Sequence, residues 1–270
     1  MTYLFVQPIF GPSQHHLQRN LDSVRSMKNL LEKHPEDVKM LFGGWCINDE
    51  FWNTISNEIS SAFGNKILEI RRFDRNYGKA HIVNELMSKP EASEYKYILS
   101  ADSDIVFITP NMFERLHKCA EISEIRKKTQ FGLISCKHLL NDRNWPSATQ
   151  RSFEFYNPKL NTKEKVVWGN LPMGIGGGCW MFSRKAWDKH KGYRLQGVYA
   201  GEDAYFSYNM KPLGLSWQIA ESIPVEHPWD TDKEYEDFKL RICVRDTNGI
   251  DKDTIEPQIQ EMEEFWNKRT

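Results

Sequence analysis

Cysteine is sparse and unpatterned: five residues, at Cys46, Cys119, Cys136, Cys179 and Cys243, are scattered through 270 positions without a C-x-x-C pair. That spacing offers neither a disulfide framework nor a thiolate zinc site, and it suits a reducing cytoplasm. Long apolar runs are missing as well. No window approaches the roughly 20 residues of a membrane span, so no integral membrane segment is expected. The start, Met1 to Val6, lacks a basic leader, and Gln7 and Pro8 cut its apolar run short, which reads as a strand. There is no excess of charge of one sign, because 36 Lys+Arg against 37 Asp+Glu leave −1 at pH 7. No global field therefore recruits nucleic acid or an anionic membrane, although local basic patches remain open. Low-complexity tracts are absent, and 40% hydrophobic with 13% aromatic residues describe a folded chain with a sizeable core.

What is present is alternation. Over 1–140, short apolar runs at Tyr3–Pro8, Val38–Phe42, Ile67–Arg71, Tyr97–Ser100 and Phe131–Cys136 alternate with helical periods. Leu17, Leu21, Val24, Met27, Leu30 and Leu31 form one such period, Phe51, Ile55 and Ile59 a second, and Ile82, Val83, Leu86 and Met87 a third. Strands joined by helical crossovers predict an α/β fold with a mostly parallel sheet flanked by helices. Asn141–Leu171 has no clean period and is expected to be loop-rich. Beyond it, Gly174–Gly178 leads into a strand at Cys179–Phe182, followed by helices at Arg184–His190 and Asp203–Met210, a short strand at Trp217–Ala220 and a C-terminal helix at Ile255–Trp266. With no repeat and no linker, one domain with an elaborated second half is expected.

Four segments carry chemistry. The strand Tyr97-Ile98-Leu99-Ser100-Ala101 ends in Asp102-Ser103-Asp104, two carboxylates one residue apart. In an open α/β sheet ligands bind at the carboxyl ends of strands, and hard divalent cations take carboxylates together with substrate phosphates. An Asx turn explains the same residues equally well. Asn76-Tyr77-Gly78-Lys79-Ala80 places a glycine turn and a lysine at a helix start, where an anion would be favoured, or else a solvated lysine would sit. Gly201-Glu202-Asp203 opens another helix with two carboxylates, either a base for an acceptor hydroxyl or an acidic N-cap. Val225-Glu226-His227-Pro228 offers an imidazole able to complete a metal shell, or simply a hydrogen-bonded histidine. The joint occurrence of the four segments favours a site.

In their order these segments resemble the GT-A glycosyltransferases, especially the family 2 type, over about residues 1–230. The resemblance implies a GT-A (Rossmann-like) fold in a single domain, with a nucleotide-sugar half at 1–140, an acceptor and catalytic half at 141–254 and a C-terminal helix at 255–270. Asn76–Ala80 looks like the family's Asn-x-Gly-Lys element, Asp102-Ser103-Asp104 like its DxD motif and Glu202-Asp203 like its ED motif. By that similarity Asp102, Asp104 and His227 hold Mn2+ or Mg2+, and Asp203, with Glu202 beside it, is the catalytic base. Pro8, Asn76, Lys79, Asp102, Ser103, Gly177 and Trp180 bind the nucleoside-diphosphate sugar, Trp180 by stacking. Gly43-Gly44-Trp45-Cys46 stands where the family often has an Asp-rich turn that reads the base, so a UDP-sugar is the default only. The acceptor is expected to be a saccharide or another hydroxyl compound. A modified base in DNA is an alternative if Trp145, Trp168 or Trp180 stacks between the basic clusters at Arg71, Arg72 and Arg75, at Arg126, Lys127 and Lys128, and at 184–194. A nucleotidyltransferase and a non-catalytic nucleotide-binding module are the rivals. A dinucleotide oxidoreductase is poorly supported, since Gly174–Gly178 runs into Cys179 instead of completing G-x-G-x-x-G.

Overall fold

The computed structural model describes residues 1–74, 78–139, 151–168, 178–193 and 202–228, with isolated positions beyond. The chain forms the predicted α/β architecture around a ten-stranded sheet. Strand β1 (Tyr3–Phe10) lies parallel to β2 (Val38–Trp45) on one side and to β4 (Tyr97–Ala101) on the other, and β3 (Ile67–Arg72) extends β2 outward. The crossovers are helices α1 (Gln14–Lys33), α2 (Asp49–Phe63) and α3 (Gly78–Met87), each closed by the apolar period read from the sequence. Ser13 and Asn48 cap the first two by accepting backbone N–H bonds from His16 and Phe51.

Alternation along β1 divides the core. Tyr3, Phe5 and Ile9 face one hydrophobic cluster with Leu17, Val24, Ile55 and Phe113, whereas Leu4 and Val6 face a second with Ile82, Leu86, Trp180 and Phe206. Each sheet face is thus sealed by helices, the layering that forces long apolar strands. Gly43 and Gly44 in β2 are where helices touch the sheet: a Cβ on Gly44 would meet Trp52 at 2.2 Å, and one on Gly43 would meet Ile82 at 2.5 Å.

The second half follows β5 (Val106–Phe107) and α4 (Met112–Lys127), a helix not separated by the sequence reading. The Glu36 carboxylate accepts from the N–H groups of Phe113 and Glu114, capping α4 from a distant loop. Strands β6 (Gln130–Leu139), β9 (Cys179–Ser183) and β10 (Leu215–Glu226) then continue the sheet, with β9 antiparallel between β4 and β6 and β10 parallel to β6. Strand β10 is longer than the expected Trp217–Ala220 and bends at irregular pairing between Ala220 and Pro224, which delivers its end to the end of β6.

The expected loop over Asn141–Leu171 is corrected in part. Strands β7 (Arg151–Asn157) and β8 (Thr162–Trp168) form an antiparallel hairpin at the sheet edge, while 141–150 and 169–171 lie outside the described residues. Its inward side chains include Glu164, fully buried against Arg115 of α4, which hides the apolar alternation that would have marked a strand. Helices α5 (Arg184–His190) and α6 (Glu202–Tyr208) complete the fold, and the helix expected at Ile255–Trp266 falls largely outside the described residues. No helix among the described residues is long and apolar enough to cross a membrane.

Candidate functional site

The C-terminal ends of β1, β4 and β10 meet in one place. Asp102 leaves β4 with its N–H bonded to the Gly178 carbonyl at 2.7 Å, so the β4–β9 ladder continues into the turn and fixes the first carboxylate. Gln7, buried in β1, donates to the Asp102 carbonyl at 3.0 Å and to the Ser23 hydroxyl of α1 at 3.0 Å. Ser103 Oγ accepts from the N–H of Phe10 at 3.4 Å, pinning the middle of the turn to β1. His227 follows β10, with its N–H on the Leu139 carbonyl at 3.1 Å. One ligand atom each from Asp102, Asp104 and His227 lies within 4.8 Å of the others. Two carboxylates and an imidazole form a donor set suited to Mn2+ and, with more water, to Mg2+.

Cationic groups crowd this trio. His227 Nε2 approaches Asp104 Oδ1 at 3.4 Å, and Arg19 of α1 lies 3.9 Å from Asp104 Oδ2. Lys79, in the first turn of α3, sits 2.5 Å from Asp102 Oδ1 and 3.8 Å from Glu202 Oε1. Burial disfavours the Lys79 ammonium, but Asp102, Glu202 and Asp203 outweigh it and hold the amine well above its usual value. Burial likewise opposes charge on both Asp104 and His227, yet their mutual hydrogen bond lowers the acid and raises the imidazole. Glu202 is pushed up to about 7 by burial, with Lys79 only partly compensating and Asp203 adding repulsion.

Packed behind His227 is His138, near the end of β6, its ring at 5.2 Å and 87° to the His227 ring. Burial, then the neighbouring His227 and Lys79, lower it to about 4, so it stays neutral. Both rings rest on Gly178, where a Cβ would meet His138 Cε1 at 2.7 Å and His227 Nδ1 at 3.0 Å. Glycine is required there by contact.

The sequence-predicted residues separate into groups. Asp102, Ser103, Asp104, Lys79, Glu202 and His227 converge, and Asp203 follows Glu202 in the first turn of α6, its Oδ1 accepting from the Ala204 N–H at 2.6 Å. Pro8 is buried in β1, paired in register with Gly43. Asn76 and Gly177 lie outside the described residues. Trp180 is a correction: its side chain is fully buried in the second core cluster against Phe206, and its Nε1 donates to Tyr193 at 3.1 Å, so no ring face is available for stacking on a ligand. A residue directly paired to two central strands faces a sealed layer, whichever glycines precede it. The aromatic support for a DNA acceptor weakens in the same way. Lys127 covers the Trp168 ring at 4.6 Å, Arg126 lies over Phe153 at 4.6 Å, and Trp145 is outside the described residues. Gln7, Arg19 and His138 were not found from sequence, since each acts through a partner far along the chain.

No protein-family model and no curated protein matches this sequence. Among solved structures, the fold is similar to that of a mannosyltransferase from Pyrobaculum calidifontis in complex with GDP-Man and Mn2+, with a TM-score of 0.55 and 11% identity over 97% of this chain and 68% of that one.

Proposed function

We propose that the chain is a cation-dependent glycosyltransferase that moves a sugar from a nucleoside diphosphate to a hydroxyl acceptor with inversion at the sugar carbon. The observation that carries this reading is the convergence of Asp102, Asp104 and His227 at the carboxyl ends of the strands, with Lys79 buried against them. Asp102, Asp104 and His227 would hold Mn2+ or Mg2+, which when bound supplies Lewis-acid neutralisation of the leaving diphosphate. Lys79 contributes a second, permanent positive charge on the leaving-group side, where charge accumulates as the bond from the sugar carbon to the diphosphate oxygen breaks. As the acceptor oxygen bonds to that carbon, a carboxylate oxygen of Asp203 takes the hydroxyl proton. Glu202 holds Lys79 from the acceptor side.

On this reading the donor half is 1–140 and the acceptor half 141–254. The structural neighbour was solved with GDP-Man and Mn2+, which supports a nucleotide sugar as donor, so a GDP-sugar is tested beside the UDP-sugar default. A saccharide or other hydroxyl compound is the acceptor class. Incubation with UDP- and GDP-sugars and Mn2+ tests the reading. Release of nucleoside diphosphate supports it, pyrophosphate from a nucleoside triphosphate points to a nucleotidyltransferase, and no cation-dependent nucleotide binding leaves a different function. The Asp203→Asn variant should lose transfer by about 10²–10⁴-fold while still binding the nucleotide. If it unfolds instead, Asp203 is a cap.

A further inference from the structure

Gln7 is a polar residue in an apolar seat. On β1 it shares a face with Phe5 and Ile9, which pack in the first hydrophobic cluster, yet it carries an amide there at 1% exposure. Its partner Ser23, also buried, sits on the face of α1 that holds Leu17, Val24 and Met27. A buried amide is tolerated only when it is bonded. Gln7 donates from Nε2 to Ser23 Oγ and to the Asp102 carbonyl, each at 3.0 Å. A carbonyl oxygen can only accept, which fixes the amide with its NH2 group toward the acidic turn.

The Asp102 carbonyl is the point where that turn closes. It also accepts from the N–H of Ile105 at 3.3 Å, the bond that makes a β-turn of 102–105 and sets Asp102 and Asp104 one residue apart within it. Just beyond, the Phe107 N–H donates to Ser26 Oγ at 2.9 Å, one helical turn after Ser23, so α1 braces the exit of the turn directly and its entry through Gln7. An apolar pair at 7 and 23 would fill the same layer about as well, because replacing both partners of a buried bond by apolar groups is nearly neutral. It would leave the Asp102 carbonyl to the long bond within the turn.

We infer that Gln7 is a positioning residue for the cation site: it fixes the Asp102 carbonyl and, through it, the spacing of the Asp102 and Asp104 carboxylates. This rests on the reading of the site given above. Groups that orient metal ligands from behind typically change metal affinity by about 10- to 100-fold when removed.

Mn2+ titration of the full chain followed by electron paramagnetic resonance, alongside melting curves without metal, tests the inference. If the wild type binds no Mn2+, the reading of the site itself fails and the inference with it. If the wild type does bind, Gln7→Met combined with Ser23→Ala should weaken Mn2+ by about 10-fold or more, while the metal-free melting temperature stays close to that of the wild type. A lower melting temperature with unchanged Mn2+ affinity would make Gln7 a packing residue and overturn the inference. Should the double variant not fold, Gln7→Asn, whose amide is one methylene short of the carbonyl, is expected to show the same weakening. Wild-type affinity in that variant would equally overturn the inference.

Discussion

Two charge clusters touch β10, one at Ser222 within it and one at His227 just past its end, and they are built on opposite plans. In the first, Arg115 of α4 meets the fully buried Glu164 of the hairpin through two bonds, at 2.7 and 3.0 Å, and also donates to the Ser222 carbonyl at 2.8 Å. Ser222 and Thr162 give the remaining bonds to the same carboxylate. One cation faces one anion, and hydroxyl groups satisfy what is left. In the second, Asp102, Asp104, Glu202 and Asp203 crowd around Lys79, Arg19 and His227, and one acid is driven up to about 7. A closed network fastens a hairpin. A crowded one keeps its charges uneven, which suits a site that takes up a cation.

The contrast breaks most visibly on the structural side. Glu164→Gln leaves Arg115 buried without its counter-charge and is expected to cost about 3–5 kcal/mol, lowering the melting temperature by about 10 °C. Denaturant unfolding checks this, and a loss no larger than that of a surface substitution would show that the pair holds nothing. On the other side, Gly178→Ala pushes a methyl group into the His138 and His227 rings and should weaken Mn2+ by about 10- to 100-fold at a modest cost in stability. Unaltered Mn2+ affinity would mean that the imidazoles are not held by that glycine.

The smallest effect sharpens the comparison through its sign. Glu164 is lowered: burial raises it, but Arg115, Ser222 and Thr162 outweigh that, so its contribution is present above the ordinary carboxylate range and fades as pH falls. Glu202 is raised from 4.5 to about 7, so its contribution is complete below about pH 4.5 and is lost as pH rises through 7. Glu202→Gln should therefore gain stability relative to the wild type between pH 5 and pH 8, by on the order of 1 kcal/mol. Urea midpoints at the two pH values measure it, and parallel wild-type and variant curves would refute the assignment.

The cluster around Asp102 and Asp104 was the more legible of the two. Asp102 and Asp104 end an apolar strand, and Lys79 follows a glycine with φ of 78°, so local pattern alone points at both. The parallel first half was readable for the same reason, since strands sealed on both faces and amphipathic crossovers leave regular periods. The hairpin was not, because Glu164 occupies a core position that alternation assigns to an apolar residue, and its compensation by Arg115 lies 49 positions away. Arg19 and His138 were hidden similarly. Each looks like an ordinary member of its helix or strand until β1, β6 and β10 bring their ends together. Trp180 erred in the other direction: glycines before an aromatic suggested an open ligand surface, whereas pairing to both β4 and β6 puts the ring in the core.

The central claim concerns Asp104, the carboxylate shared by His227 and Arg19. Titration of UDP or GDP into the wild type and Asp104→Asn, each with and without Mn2+, tests it directly. The account predicts nucleotide binding by the wild type that requires Mn2+, and none by the variant, while the variant's melting temperature without metal stays close to that of the wild type. Mn2+-dependent nucleotide binding of equal strength in both proteins would contradict it.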